Sequence, residues 1–217
     1  WTPQNFGGSN SIDKATGALP ILNTTPGGNQ AVPGARTDSN SSDVVLALPL
    51  ISNIKDVHHL IKGSGSAHSI TGNGNVAANY SFSNFYGGSY YFDGSTDSLT
   101  AASSSDFGMG TGDFTIEAWV YPTTLYSSNF IVCLSGSDSV FGYSNDGTLN
   151  IQLPASGAPA LTQLGPVITI NRWNHFACVR ESGAVRGYVN GVLAVTVTDT
   201  TDMGASGTAT IGDHPSL

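Results

Sequence analysis

The stretch Gly110-Thr-Gly-Asp-Phe-Thr-Ile-Glu-Ala-Trp-Val-Tyr-Pro122 decides the fold class of this chain. Two sets of residues alternate within it. One set is Phe114, Ile116, Ala118 and Val120, and the other is Thr115, Glu117, Trp119 and Tyr121. Alternation with a period of two, in a run rich in β-branched and aromatic residues, predicts a strand with one face in a core. The proline ends the strand because it has no N–H to donate to a ladder.

Short runs of the same kind recur along the chain, with turn residues between them. Asp93-Gly94, Asn145-Asp146-Gly147 and Asn190-Gly191 each join two runs, and Asn-Gly is a strong hairpin signal. The continuous apolar run Val44–Leu50 predicts a strand that is buried on both faces or lies at a sheet edge. About a dozen short strands with closely spaced turns predict an all-β fold, namely an antiparallel β-sandwich or jelly roll.

The composition excludes several classes of function. The 217 residues include 7 Lys and Arg against 15 Asp and Glu, which gives a net charge of −8. The basic residues are scattered singly, so the sequence offers no stripe for nucleic-acid phosphates. No run of about 18 apolar residues occurs, so no membrane-spanning helix is predicted.

Cysteine and histidine side chains are the usual soft metal ligands, and here neither set predicts a metal site. Cys133 and Cys178 both fall in predicted strands, and two free, buried thiols are favoured over a disulfide. His58 and His59 are adjacent in a predicted loop, with His68 nearby. Adjacent residues of an extended segment point to opposite sides, so exposed loop histidines are favoured over a zinc site.

Residues 1–42 have the character of an extended arm. Breaker signals such as Trp1-Thr-Pro and Val32-Pro-Gly are spaced too closely for regular elements. Such a segment cannot bury enough apolar surface to fold alone. We expect it either to be a linker or to dock on a neighbouring protein through its apolar anchors, which are Trp1, Phe6, Leu19, Ile21 and Leu22.

Five ordered motifs resemble the laminin G-like jelly-roll domains of the concanavalin A-like lectin/glucanase superfamily. They are Tyr91-Phe-Asp-Gly-Ser-Thr-Asp-Ser-Leu99, Phe107–Pro122, Trp173–Arg180, Tyr188–Val192 and Ile211-Gly212. The resemblance implies a concanavalin A-like jelly roll over residues 43–217 that follows an irregular N-terminal arm. Domains of this family usually add a strand containing Gly-x-Ile-Asp after the Ile-Gly motif. We therefore expect either a longer polypeptide or an edge completed by another segment or chain.

The segments Trp1–Gly8 and Ala15–Leu22 resemble leaders that precede such domains in structural proteins of marine bacteriophages. This resemblance implies a non-catalytic virion protein, a capsid decoration or fibre component that displays the jelly roll at the virion surface for adhesion to glycans or hosts. Its partners would be other virion proteins, or further copies of itself, reached through the arm. The alternative is a secreted or cell-surface bacterial carbohydrate-binding or adhesion module.

The sequence predicts that the protein is not an enzyme. Glucanases of the superfamily carry two carboxylates a few residues apart on one strand, one as nucleophile and one as acid. The chain has two glutamates, Glu117 and Glu181, which are far apart in sequence. No Asp-x-Asp or Asp-x-Glu pair falls on a predicted strand. A binding or structural role is therefore expected.

Calcium is the one cofactor that the resemblance suggests, because related lectin-like domains often hold it at the rim. The candidate ligands are Asp93, Asp97 and Asp113. The alternative, which the residue types favour, is that Asp93 makes a turn and that Asp97 and Asp113 cap backbone amides.

Exposed aromatic rings are the candidates for carbohydrate binding, because a sugar ring stacks on an apolar ring while its hydroxyls make hydrogen bonds. Trp119 belongs to the predicted central strand, where a tryptophan is more often part of the core than a binding platform. The candidate rings are Tyr126, Tyr143 and Trp119.

Overall fold

A computed structural model of the chain describes residues 40–85, 87–134, 139–154, 162–163 and 165–213. These residues fall into two compact units. The first contains the described residues up to Thr71 together with Val76–Tyr91, and the second contains Gly72–Asn75 together with the described residues from Phe92 onward. The domain boundary expected at residues 42 and 43 stays a prediction.

Within the described residues the chain forms thirteen strands and little helix. One α-helix, α1, spans His58–Lys62, and single 3-10 turns span Ser41–Asp43 and Ser105–Phe107. The strands are β1 (Ile70–Asn73), β2 (Ala77–Asn79), β3 (Ser89–Tyr91), β4 (Ser98–Ser104), β5 (Phe114–Val120), β6 (Asn129–Leu134), β7 (Ser139–Tyr143), β8 (Leu149–Gln152), β9 (Thr162–Gln163), β10 (Asn174–Glu181), β11 (Ala184–Val189), β12 (Val192–Thr198) and β13 (Gly207–Ile211).

The described strands form two large sheets and a small one. One large sheet has the order β5-β10-β11-β12-β9, the other has the order β1-β4-β13-β6-β7-β8, and β2 pairs with β3. The neighbouring strands β5-β10, β10-β11, β11-β12, β4-β13, β6-β13, β6-β7 and β7-β8 are antiparallel. The predicted all-β, antiparallel jelly-roll class is confirmed.

The core of the second unit lies between its two large sheets. The ring of Phe114 on β5 meets that of Phe141 on β7 edge to face, with 6.0 Å between the centroids. A Cβ at Gly187 on β11 would lie only 2.8 Å from Cδ1 of Leu149 and 2.9 Å from Cδ1 of Ile151, both on β8. Such close approach of two sheets through apolar side chains is the packing of a β-sandwich.

In the described strand order, β5 lies at one edge of the five-stranded sheet, not in its centre as expected, and it pairs with β10. Exposed and half-buried residues alternate along β5, as the sequence predicts. On β10, Phe176 and Cys178 point into the core and are fully buried. The hairpin after β11 has positive φ at Asn190 (53°) and Gly191 (78°), which is what an Asn-Gly turn of this kind requires.

The strand predicted at Val44–Leu50 is wrong, because this segment has no regular secondary structure. Its polar backbone groups pair with a neighbouring loop instead of a sheet. The N–H of Ala47 donates to Oδ1 of Asp56 (3.1 Å), and the carbonyl oxygen of Ala47 accepts from the N–H of Val57 (2.9 Å). Leu50 has a φ of 51°, which no extended strand adopts.

The two thiols are free and buried, as predicted. Cys133 lies on β6 and Cys178 on β10, in different sheets. Burial raises the pKa of each thiol to about 12, because a thiolate is poorly solvated in the core.

Arg180, on β10, is the largest fully buried side chain of the core, with 1% of its surface exposed. Its guanidinium donates from Nε to the carbonyl oxygen of Gly112 (2.7 Å), from Nη2 to that of Gly110 (2.7 Å) and from Nη1 to that of Thr201 (2.8 Å). The ring of Phe114 lies 5.0 Å from its Cζ. One side chain therefore fixes the loop that leads into β5 and the loop that leads out of β12.

Replacing Arg180 by lysine should lower the free energy of unfolding by roughly 3 kcal/mol or more, because one ammonium group cannot reach three acceptors that lie in different directions. Urea denaturation followed by tryptophan fluorescence measures this change. The control is Arg186→Lys on the adjacent strand, where the half-exposed Arg186 donates to Glu181 (3.2 Å). The free energy of unfolding of Arg186→Lys should fall by no more than about 0.5 kcal/mol. Equal losses in the two variants would contradict the role given to Arg180.

Candidate functional site

The outer face of the five-stranded sheet, the one turned away from the core, carries an aromatic platform. The platform is defined by four rings at one end of β5 and β10: Trp119, Tyr121, Trp173 and His175. The register places Trp119 opposite His175, and their ring centroids lie 5.1 Å apart. Just beyond the paired residues, the rings of Tyr121 and Trp173 meet edge to face with 5.5 Å between their centroids.

Side chains alternate between the two faces along β5 and β10, and this brings the rings to the outer face. Inward-pointing neighbours on β10, such as Asn174 and Phe176, have no exposed surface, whereas Trp119 is 41% exposed. Asn174 anchors the start of β10 by donating to the carbonyl oxygens of Thr169 (2.8 Å) and Arg172 (2.9 Å). The N–H of His175 donates to Oδ1 of Asn190 (2.9 Å), so the β11–β12 hairpin also supports this end of the sheet.

Polar groups lie next to the platform. Nε2 of His175 is 3.1 Å from Oε2 of Glu117, and the Glu117 side chain is 62% exposed. The hydrogen bond from His175, together with the charge of its ring, holds the pKa of Glu117 below its ordinary value despite partial burial. Glu117 lies opposite Ala177, which in turn lies opposite the half-buried Tyr188 on β11. The small side chain of Ala177 therefore lies between the carboxylate of Glu117 and the phenol of Tyr188.

The three rings predicted to bind carbohydrate have different environments. Trp119 is exposed, so the interpretation that it belongs to the core is wrong. Tyr143 is buried on β7 with 8% of its surface exposed, and burial raises its pKa to about 12, so it is not available for stacking. Tyr126 is 50% exposed, and its ring packs over Gly94, where a Cβ would lie 2.9 Å from Cε2.

The three predicted calcium ligands each accept hydrogen bonds from backbone amides. Oδ1 of Asp93 accepts from Ser95 (2.8 Å), and Oδ1 of Asp113 accepts from Ser182 (2.8 Å). The buried Asp97 accepts from Asn75 at Oδ1 (2.5 Å) and from Asp93 at Oδ2 (2.9 Å). Among the residues that the structure describes, these three do not group as ligands around one point. Calcium binding stays a prediction.

The predicted arm anchors Trp1, Phe6, Leu19, Ile21 and Leu22 lie outside the described residues. No helix in the described part of the chain is long and apolar enough to cross a membrane.

The prediction of exposed loop histidines is wrong for His58, and most of the platform was not predicted from the sequence. His58 is buried, with 3% of its surface exposed, and it begins helix α1 instead of lying in an exposed loop. His175, Tyr121 and Trp173 were not among the candidates, although the alternation that selects Trp119 on β5 also selects Tyr121. What brings Trp173 and His175 beside them is the pairing of β5 with β10, two strands more than fifty residues apart.

Residues 93–216 match the family model of the concanavalin A-like lectin/glucanases superfamily, in its laminin G form. The match covers 124 of the 217 residues, more than half of the chain, and the protein therefore belongs to this superfamily. A comparison with curated proteins finds no match.

Several solved structures resemble this chain at low sequence identity. Domain 4 of AbnA, a GH43 extracellular arabinanase from Geobacillus stearothermophilus solved with arabinotriose, is 18% identical over 68% of this chain and 74% of that chain, with a TM-score of 0.50. The carbohydrate-binding module CBM66 from Bacillus subtilis is 16% identical over 67% and 89%, with a TM-score of 0.43. Galectin LEC-6 from Caenorhabditis elegans is 17% identical over 49% and 86%, with a TM-score of 0.35. These likenesses concern the fold alone.

Replacing His175 by phenylalanine should raise the pKa of Glu117 towards its ordinary value of 4.5, because the variant keeps a ring but cannot donate a hydrogen bond. NMR titration of the Glu117 carboxyl carbon measures the shift. Because the pKa of Glu117 is lowered in the folded protein, its ionisation adds to the free energy of unfolding above pH 4.5. This contribution is lost as the pH falls below that value.

The matched control is Tyr188→Phe, which removes a hydroxyl elsewhere on the same face and should leave the titration of Glu117 unchanged. A Glu117 pKa that stays low in His175→Phe would show that another group holds it down.

Proposed function

We propose that this protein is a non-catalytic carbohydrate-binding module that binds a glycan on the outer face of its five-stranded sheet. The observation that carries the proposal is the aromatic platform, with Trp119 41% exposed and in ring contact with His175. A large indole on an exposed sheet face costs solubility and adds little to the core, so its position fits a binding role better than a structural one.

The platform suits the two kinds of surface that a sugar presents. The C–H face of a pyranose or furanose ring packs on an indole, while its hydroxyls need donors and acceptors at the edge. The carboxylate of Glu117 accepts such hydrogen bonds, and its existing hydrogen bond to His175 holds it beside the platform. Because this hydrogen bond already orients the Glu117 carboxylate, less conformational entropy is lost when a sugar binds.

The spacing of the rings favours an oligosaccharide over a single sugar. Trp119 lies on β5 and Tyr121 just after its end, and two residues of extended chain separate their Cα atoms by about 7 Å. Trp173 and His175 have the same spacing beside them. Two consecutive sugar units can therefore each meet a ring.

The charges of the face favour a neutral glycan over one built from uronic acids. Glu117 and Glu181 both point to the outer side, Arg186 is paired with Glu181, and the whole chain carries a net charge of −8. A polyanion would approach this surface against repulsion. Domain 4 of AbnA, which shares the fold, was solved in complex with arabinotriose, a neutral sugar, and this supports the proposal.

The spacing of the glutamates supports binding without hydrolysis. Ala177, opposite Glu117, lies four residues from Glu181 along β10, which corresponds to about 13 Å of strand. Retaining and inverting glycosidases hold their carboxylates about 5 Å and 6.5–9.5 Å apart, respectively. Glu117 and Glu181 are therefore too far apart to act as a catalytic pair.

We further propose that the module acts at the surface of a bacteriophage particle, with residues 1–42 as the segment that attaches it to other virion proteins or to copies of itself. This part of the proposal is supported by the resemblance of the segments Trp1–Gly8 and Ala15–Leu22 to phage leader segments. The alternative is a secreted or cell-surface bacterial adhesion module. Co-purification with assembled particles distinguishes the two settings.

Trp119→Ala should weaken binding of neutral oligosaccharides at least tenfold, because one stacked ring contributes about 1.5 kcal/mol or more. A glycan array identifies the ligand, and isothermal titration calorimetry then measures the dissociation constants. The control is Tyr126→Ala, which removes an exposed ring outside the platform and should leave the affinity unchanged.

Three results would contradict the proposal. They are wild-type protein that binds no glycan on the array, a larger loss of affinity in Tyr126→Ala than in Trp119→Ala, and release of reducing sugar from a bound polysaccharide.

A further inference from the structure

The first unit contains a buried cluster of three metal-ligating side chains, Asp56, His58 and His68. Each offers one ligand atom, and these atoms all lie within 4.8 Å of one another. Asp56 and His58 are 2% and 3% exposed, and His68 is half-buried. Among the described residues, this is the group of His, Cys, Asp and Glu side chains that comes close enough to hold one ion.

The backbone holds this cluster in place before any ligand arrives. Asp56 precedes helix α1, and its Oδ1 accepts from the N–H groups of Ala47 (3.1 Å) and His58 (2.9 Å). Its Oδ2 accepts from the N–H of His68 (2.8 Å), just before strand β1. The segments around Ala47 and His68 are thereby tied to the carboxylate of Asp56.

The hydrogen bonds identify the donor nitrogen of each ring. Nδ1 of His58 lies 2.6 Å from Oδ2 of Asp56 and donates to it. Nε2 of His68 donates to the carbonyl oxygen of Val45 (3.1 Å), since a carbonyl only accepts.

We propose that Asp56, His58 and His68 bind one divalent transition-metal ion, for which Zn²⁺ is the natural probe. Two imidazoles and one carboxylate form a donor set that Zn²⁺ takes readily, with bonds of about 2.0–2.1 Å. The ligand atoms of such a site lie about 3.3 Å apart, so small rotations of the side chains bring this cluster to coordination distance.

The ion takes the place of the proton between Asp56 and His58. Four hydrogen bonds already occupy the carboxylate oxygens of Asp56, and the one from His58 is the only one that comes from a side chain. On binding, Nδ1 of His58 gives up its proton to solvent and Nε2 takes one up, so the ring changes tautomer and no net proton is released. The three backbone hydrogen bonds remain, and they keep the carboxylate oriented as an outer shell of donors would.

A fourth ligand has room to enter. A cavity of about 480 Å³ borders Asp56 and His68 and is lined further by Ile54, His59, Leu60 and Ile70. Water or a small exogenous ligand can reach the ion from this side. His59 itself is adjacent to His58 in sequence but does not belong to the cluster.

The test uses the full chain without a histidine tag, treated with EDTA and dialysed. We expect Zn²⁺ to bind with a stoichiometry of one by calorimetry, and Co²⁺ to give the visible absorption bands of a four-coordinate site. His68→Gln keeps a side-chain N–H for Val45 but offers a poorer ligand, and it should bind Zn²⁺ at least tenfold more weakly. His59→Asn is the matched control and should bind as the wild type does.

The proposal fails if Zn²⁺ does not bind at one equivalent, if His68→Gln binds as tightly as the wild type, or if His59→Asn loses as much affinity. In that case the cluster serves only to tie the loop together. Circular dichroism first establishes that each variant is folded. If His68→Gln does not fold, the ¹⁵N chemical shifts of the wild-type histidines decide, because coordination must move the signals of His58 and His68 and leave those of His59 in place.

Discussion

The buried guanidinium of Arg180 is the interaction on which the second unit depends most. Its three hydrogen bonds run to backbone carbonyl oxygens of Gly110, Gly112 and Thr201. Removing a cation from water is costly, and here the compensation comes from loop carbonyls and from the face of Phe114. The loops around β5 and β12 therefore cannot move without leaving a buried charge unsatisfied, and this keeps the five-stranded sheet in one arrangement.

The candidate binding face follows from that arrangement. Since β5 and β10 are held in one register, Trp119 lies beside His175 and Glu117 lies within hydrogen-bond distance of the same ring. The inward side chains of these strands fill the core, and the outward ones make few contacts on which folding depends. The two sides of this single sheet thus differ, with the packed core on one side and the candidate binding face on the other.

The local features could be predicted from the sequence, and the long-range ones could not. Alternation identified β5, and the Asn190-Gly191 turn identified the β11–β12 hairpin. Val44–Leu50 was misjudged because apolar composition does not reveal where backbone groups pair, and here they pair with the loop that contains Asp56. Trp173 and His175 escaped notice because only the pairing of distant strands brings them beside Trp119. Tyr143 was wrongly selected as a binding ring, since an aromatic residue near a turn can still be packed inside.

The burial of both cysteines makes the chain convenient for site-selective chemistry. With a pKa of about 12 for each thiol, only about one molecule in ten thousand carries a thiolate at pH 8, and the thiolate is the reactive form. The chain contains no other cysteine. A single cysteine introduced on the surface would therefore accept a fluorophore or a spin label without any change to the native pair, and distances within the folded protein could be measured on an otherwise natural sequence.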